Sequence, residues 1–572
     1  MKKIIALALT AMLVFTACSK SEPAPSEPAI NDGTYTASAW GNNGEIEVEV
    51  TVAEGAIASV EVLSHKESKG ISVEPIAQIP AKIVEYQTVG VDAMSGGTMT
   101  SNGIKNAVKA CLEEAGASES FFAPATVDLG TVEDTECDVV VVGSGAAGMA
   151  TAIHAVQEGA KVILVEKQDI LGGTSLLANS MFGSVGTSVH KAEGKTETVE
   201  DLVENYLKPE AATGGCLAEE ASARVLAEHS AEQAEYLISL GVPLDHTSSK
   251  FILAPQGGSG LGSYVIPALT GVLEDEGVDI RLSTRATHIL TEDGKATGIE
   301  VETAAGTYKI KADAVVLTTG GFAAGRDMVK KYLPAWSNSL YYCSPADTGD
   351  GHIMAEEVGV ELVDMTIMKA NPLCFLDHTN TLTMNAAVGA GAIMVNHEGV
   401  RFANEQGGYG MSPRILEQTD GEGIVIFDNT LVEANDTIKG YLAAGYLTEA
   451  DSLDEIADLM NIDKDALAKT VEDYKVMVEN GKDEDFGRRA MADLLSGEKF
   501  YAIKVKPSIQ GTFGGIPTNL ETEVLLPDGS VFAGLYAAGE CAQEGINGLN
   551  PMTANMVFGT IAGTNAAAYA AN

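Results

Sequence analysis

The chain has 572 residues, enough for three to four domains at roughly 100–200 residues each. Hydrophobic residues make up 45% of it, which excludes a disordered or fibrous chain. Its 80 acidic against 36 basic residues give a net charge of −44, a field that repels nucleic acid and anionic membrane surfaces, so neither is expected as a partner.

The chain opens on Lys2 and Lys3, followed by an apolar run from Ile4 to Phe15 that is too short to span a membrane. The run ends in Phe15-Thr16-Ala17-Cys18, which resembles a bacterial lipoprotein box. In that pattern a peptidase cuts before the cysteine and the thiol is lipidated. Residues 1–17 then read as a signal peptide and 18–32 as a tether rich in Ser, Pro and Glu. An extracytoplasmic, lipid-anchored protein is expected. The other cysteines are Cys111, Cys137, Cys216, Cys343, Cys374 and Cys541. No two stand in a C-x-x-C pair, so zinc, iron–sulfur and haem attachment are not expected, and neither is a disulfide framework.

Residues 33–120 start with strand-like alternation (GTYTASAWGNNGEIEVEVTVAEGAIASVEVLSH) and switch to helical period near Asn102 to Glu114. A small α+β domain is the simplest reading. Between the two patterns stands Asp92-Ala93-Met94-Ser95-Gly96-Gly97-Thr98. It supplies a hydroxyl, a nearby acid and small residues that would let a bulky nucleotide approach Thr98. The alternative is a Ser/Gly turn that caps the next helix.

After a linker over 121–135, Asp138 to Val142 reads as a buried parallel strand from its run of valines. Gly143-Ser144-Gly145-Ala146-Ala147-Gly148 follows, then a helix to about Glu158, a strand from Lys161 to Val165, and Glu166. Strand, glycines, helix, strand and acid in this order form a dinucleotide site. The glycines permit a tight turn and close approach to pyrophosphate, the helix N-terminus holds the phosphates, and the acid binds a ribose hydroxyl. Further matches follow in Gly172-Gly173-Thr174-Ser175, Val315 to Phe322 (VVLTTGGF), Thr348-Gly349-Asp350-Gly351 and Gly534 to Glu540 (GLYAAGE).

As a set, these segments resemble the fumarate reductase/succinate dehydrogenase flavoprotein superfamily, most nearly its soluble branch of flavocytochrome fumarate reductases and urocanate reductases. The resemblance runs from about Cys137 to Ala571. It implies an α/β architecture: a Rossmann-like FAD-binding domain over 136–365 and 506–572, with an α+β capping domain inserted at 366–505. The FAD contacts it implies are Gly143, Gly145, Ala147, Gly148, Glu166, Lys167, Gly173, Thr174, Ser175, Asp350, Glu540 and Asn555. Membrane-bound members attach FAD to a histidine; no matching His stands here, so non-covalent FAD is expected. The Asp92–Thr98 segment resembles the flavinylation motif of FMN-binding domains, which implies FMN attached covalently to Thr98 by a flavin transferase.

Within the cap, Asn396 to Glu405 (NHEGVRFANE) resembles the family's N-x-x-G-x-R-F-x-N-E segment. This implies Arg401 as the proton donor; the alternative is a structural arginine paired with Glu405. Elsewhere the dicarboxylate pattern is broken. Asn371 stands where a His precedes Pro, Gln510-Gly511 where two His stand, and Pro551 where an Arg clamps a carboxylate. Pro cannot replace a bidentate Arg. The expected activity is therefore reduction of a C=C bond conjugated to a carbonyl or carboxylate. Tyr409, Thr512 and Asn550 are candidates to bind that carbonyl. Electrons are expected from a membrane or extracytoplasmic donor by way of FMN, in anaerobic respiration. Two other readings stay open: a ketosteroid-type dehydrogenase, and an electron-transfer flavoprotein without an organic substrate.

Overall fold

The structure, a computed structural model, describes residues 30–67, 70–127, 129–178, 181–208, 218–256, 260–376 and 381–572. The signal segment, the tether with Cys18, Cys216 and the side chain of Tyr409 lie outside the described residues. Two compact units are present. The smaller takes residues up to 66, 78–92 and 102–126, and the larger takes 67–77, 93–101 and 127–572. The division by contacts cuts across the expected domain over 33–120. Residues 93–101 cluster with the larger unit because Ser95 N–H donates to Asp169 (2.6 Å) and a Cβ on Gly96 would strike Ile170.

In the smaller unit, β1 (Gly33–Trp40), β2 (Glu45–Ala53) and β3 (Ala56–Ser64) form an antiparallel sheet in that order. The alternation in β2 buries Ile46, Val48, Val50 and Val52 on one face. Two helices follow, α1 (Val73–Tyr86) and α2 (Thr98–Glu114). They bury residues one turn apart: Ile79 and Ile83 on α1, and Ile104, Val108 and Leu112 on α2.

The larger unit begins with β4 (Thr135–Val142), α3 (Ala146–Gln157) and β5 (Val162–Val165), as the motif requires. The strands β6 (Asp279–Arg281), β7 (Arg285–Glu292), β8 (Lys295–Thr303) and β9 (Gly306–Leu317) complete a path β7–β8–β9–β4–β5–β6. β4 lies between β9 and β5 with both neighbours parallel, so Val139, Val140 and Val141 are wholly buried.

The cap is a seven-stranded sheet made of β10 (Leu340–Tyr341), β11 (Met368–Leu376), β12 (Thr381–Thr383), β13 (Ile393–Val395), β14 (Gly423–Asp428), β15 (Thr448–Ala450) and β16 (Phe500–Thr512). The main order is β12–β11–β16–β14–β13, with β10 and β15 also paired to β16. The cap also carries α4 (Leu453–Met460) and α5 (Lys464–Asn480). The cap's borders differ from 366–505: β10 precedes them, and β16 runs on through Thr512. The long strand is one hydrogen-bonded unit and does not stop where the sequence pattern changes.

The chain returns through β17 (Glu523–Leu525) and β18 (Val531–Ala537), the latter parallel to the end of β9. It closes with α6 (Pro551–Ala570). Gly559 and Gly563 let α6 lie on α3: a Cβ at either would fall 2.5 Å or less from a backbone oxygen of α3. Among the described residues, no helix is long and apolar enough to cross a membrane.

Candidate active site

The turn after β4 is shaped by backbone approach. Gly143 has φ of +102°, and a Cβ there would lie 2.5 Å from Thr318 O. At Gly148 a Cβ would lie 1.9 Å from Gly143 O. No side chain fits either place, so the first turn of α3 stays bare for a phosphate. Gly145 caps α3 with extended backbone and no side-chain bond of its own. The nearest hydroxyl is Ser175 Oγ, which accepts from Ala146 N–H at 3.1 Å. Asn555 Nδ2 lies 3.5 Å from the same oxygen. A Cβ on Gly539 would meet both Ala147 and Asn555. The structure thus gathers Gly143, Gly145, Ala147, Gly148, Ser175 and Asn555 around one cradle.

Glu166 is buried at the end of β5, where Ser144 N–H (3.0 Å) and Ser144 Oγ (2.6 Å) donate to one oxygen and Gln168 N–H (2.9 Å) to the other. The acid therefore also stiffens the glycine turn. Beside it, Lys167 Nζ donates to Thr348 Oγ1 (2.7 Å) and Asp350 (3.0 Å), and Arg285 bonds the same carboxylate (3.0 Å). Against the upward push of burial, Arg285 and Lys167 bring the Asp350 carboxyl below its usual value. Thr174 Oγ1 donates to Asp347 at 2.5 Å, next to Gly173 at φ +48°. Asp347 was not anticipated; its signal was an acid three residues before Asp350 in the same turn.

Glu540 sits after β18, where Thr512 N–H donates to it at 2.8 Å. A Cβ on Gly321 would fall 2.2 Å from its carboxylate. Burial, and then the nearby Asp347, push the Glu540 carboxyl upward. Burial does the same to Glu544, which accepts from Gly539 N–H at 2.8 Å. Both acids line a cleft whose other walls include Phe513, Ile546, Gly548 and Pro551. Two carbonyl-binding candidates point elsewhere. Thr512 Oγ1 accepts from Phe322 N–H (2.9 Å), and Asn550 Nδ2 donates to Tyr206 (2.8 Å). Tyr409's side chain lies outside the described residues.

The structure shows Arg401 in the arrangement of the alternative reading, paired with Glu405. Its guanidinium is buried in the cap, with Nε and Nη2 on Glu405 (2.7 and 2.9 Å) and Nη1 and Nη2 on Asp483 (3.3 and 2.8 Å). Its two faces meet the rings of Tyr474 and Phe486, 5.0 and 5.2 Å from the centroids. Against burial, Arg401 and three backbone N–H groups hold the Asp483 carboxyl down at about 2. Every arm of the fork is spent on structure, and Arg401 is not among the residues lining the cleft.

Thr98 begins α2 with an exposed hydroxyl that donates to Met94 O at 3.3 Å. The Met94–Gly97 turn is closed by Gly97 N–H on Met94 O (3.1 Å), and Pro75 leaves no space for a Cβ on Gly97. A phosphoester on this hydroxyl would stand at a helix N-terminus, where N–H groups and the dipole favour it. The residues fit an FMN there, as the glycine cradle fits FAD.

The fold and these two sites define a two-domain flavoprotein oxidoreductase. The comparisons agree. Residues 138–557 match the FAD binding domain family and residues 41–113 the FMN-binding domain family. The chain belongs to the fumarate reductase/succinate dehydrogenase flavoprotein superfamily and carries an N-terminal FMN-binding domain; it is a flavin oxidoreductase acting on CH–CH groups. It is 35% identical over 446 residues to the fumarate reductase (cytochrome) of Shewanella frigidimarina, covering 76% of this chain and 77% of that one. It is 31% identical over 565 residues to the urocanate reductase of Eggerthella lenta, covering 94% and 92%. A solved structure of the open conformation of a flavocytochrome c3 fumarate reductase is 34% identical, with a TM-score of 0.70, over 77% of this chain and 80% of that one.

Proposed function

We propose that the chain is an exported reductase of a C=C bond conjugated to a carbonyl or carboxylate, fed with electrons through a covalent FMN. The observation that carries this is the cleft beside Glu540: it abuts the dinucleotide cradle and is walled by Phe513, Ile546 and Pro551, with no arginine or histidine among its described lining. When bound, FAD supplies the hydride for such a reduction. The chain's part is to seat FAD without a covalent bond on Gly143–Gly148 and to hold the acceptor beside Glu540. The apolar walls exclude water from the reacting carbon, which strengthens every polar contact made there. Relatives named for reduction of fumarate and urocanate support this chemistry. The broken dicarboxylate pattern at Asn371, Gln510-Gly511 and Pro551 points away from fumarate itself.

Covalent FMN at Thr98, placed by a flavin transferase, suits a protein outside the cell, where a loose cofactor is lost by diffusion. Lipidation of Cys18 would keep the enzyme at the membrane beside its electron donor. The experiment is an anaerobic screen: enoates, cinnamates and enones are added to holoprotein reduced by viologen. One class is expected to reoxidise it with formation of the saturated product. If none of them reoxidises it faster than buffer, the reading is wrong.

A further inference from the structure

Lys369 was not among the residues singled out by motif, yet its ammonium reaches the lining of the cleft from behind Gly548. It lies on β11 directly opposite Gly511 of β16. Directly opposed residues of an antiparallel pair share a face, and Gly511 leaves that face open. A Cβ at Gly511 would point at the Phe513 ring (2.9 Å) and Glu540 (3.3 Å). The Lys369 side chain therefore rises on the side of Phe513 and Glu540. Its ammonium donates to Gly548 O at 3.1 Å and lies 5.9 Å from the centroid of the Phe513 ring. Gly548, Phe513 and Glu540 all line the cleft.

Resting on the reductase reading above, we propose that Lys369 is the cationic anchor for a single substrate carboxylate, which makes the substrate a 2-enoate monoanion with an apolar tail. The charge pattern of the cleft favours this. Its two acids, Glu540 and Glu544, are pushed upward by burial and so offer little negative charge to repel an anion. Burial also lowers the Lys369 ammonium, and a carboxylate beside it would restore the charged form. None of the described lining residues carries positive charge, while Phe513, Ile546, Ala554 and Pro551 offer apolar surface. The second carboxylate of a dicarboxylate would meet that apolar surface. Lys is a point-charge donor, so it needs no bidentate geometry from its partner.

The test uses the holoprotein with both flavins. The non-reducible probe 3-phenylpropanoate is titrated into oxidised protein and followed by the flavin difference spectrum. Cinnamate and its methyl ester are compared as acceptors. Lys369→Met is expected to weaken 3-phenylpropanoate binding and raise KM for cinnamate by about 10- to 100-fold, the range for a lost hydrogen bond to a charged group. The methyl ester is expected to change less than about threefold, and Lys369→Arg to recover part of the loss. Equal losses for acid and ester, or unchanged binding of 3-phenylpropanoate by Lys369→Met, would overturn the anchor. Binding that depends on Lys369 in a protein that reduces no acceptor would uphold the anchor and sink the reductase reading instead.

Discussion

His352 lies wholly buried, with its ring edge-on to Phe322 and its Nε2 3.4 Å from Gly514 O. Burial lowers its pKa from 6.5 to about 4. Below pH 6.5 the unfolded chain takes up a proton that the folded chain refuses. The stability this ring contributes is therefore full above pH 6.5 and falls as pH drops towards 4, by about 3 kcal/mol in all. Thermal melts at pH 7.5, 6.0 and 4.5 are expected to show a steeper acid loss for the native protein than for His352→Gln. Arg401 is the second residue-scale case. Arg401→Met leaves Asp483 buried without its guanidinium and Glu405 with only that of Arg488 (3.2 Å), and is expected to cost about 3–5 kcal/mol. At temperatures where the variant stays folded, kcat should fall far less than the roughly 100- to 10,000-fold that follows loss of a general acid. A near-total loss of kcat with an unchanged Tm would return Arg401 to catalysis.

At the scale of elements, the turn between β4 and α3 admits no addition. Gly148→Ala places a methyl 1.9 Å from Gly143 O, where only backbone is available to move. The purified variant is expected to lack FAD, read as the ratio of flavin absorbance to protein, while FMN content is kept. Conversely, Thr98→Ala should abolish the FMN adduct in the intact mass and leave FAD in place. The FAD-binding and FMN-binding domains were legible in the sequence because the segments that mark each are local: a strand, a turn and a helix start lie within a few residues. The cap was legible only as a mixed insertion. Its sheet is gathered on β16, whose partners come from 340 to 450 in the chain, and no periodicity records such pairing. Lys369 was hidden for the same reason, since its meaning depends on Gly511 standing opposite. For Arg401 the motif specifies neighbours in sequence and is silent on Asp483, which comes from the turn after α5.

For the whole molecule, the proposal of export and lipid anchoring rests on the sequence of residues 1–32 alone. Cys18→Ser is expected to move the protein from the membrane fraction to the soluble exported fraction, with loss of the lipid mass on its N-terminus. Retention on the membrane at unchanged yield would contradict a lipid anchor. With a net charge of −44, reduction by a cationic mediator should slow as ionic strength rises.

β11 and β16 stay paired across the border between cap and floor. Val363 bridges Gly515, Phe513 N–H donates to Ile367 O at 2.9 Å, and Met368 faces Thr512. Two strands laced in this way act as a leaf spring. They flex readily out of their plane and resist sliding within it, because sliding would break the whole ladder at once. The root of the spring is pinned by Thr512 to Phe322 and Glu540. Lys369 lies at that root, so any swing of the cap about these strands would displace it least.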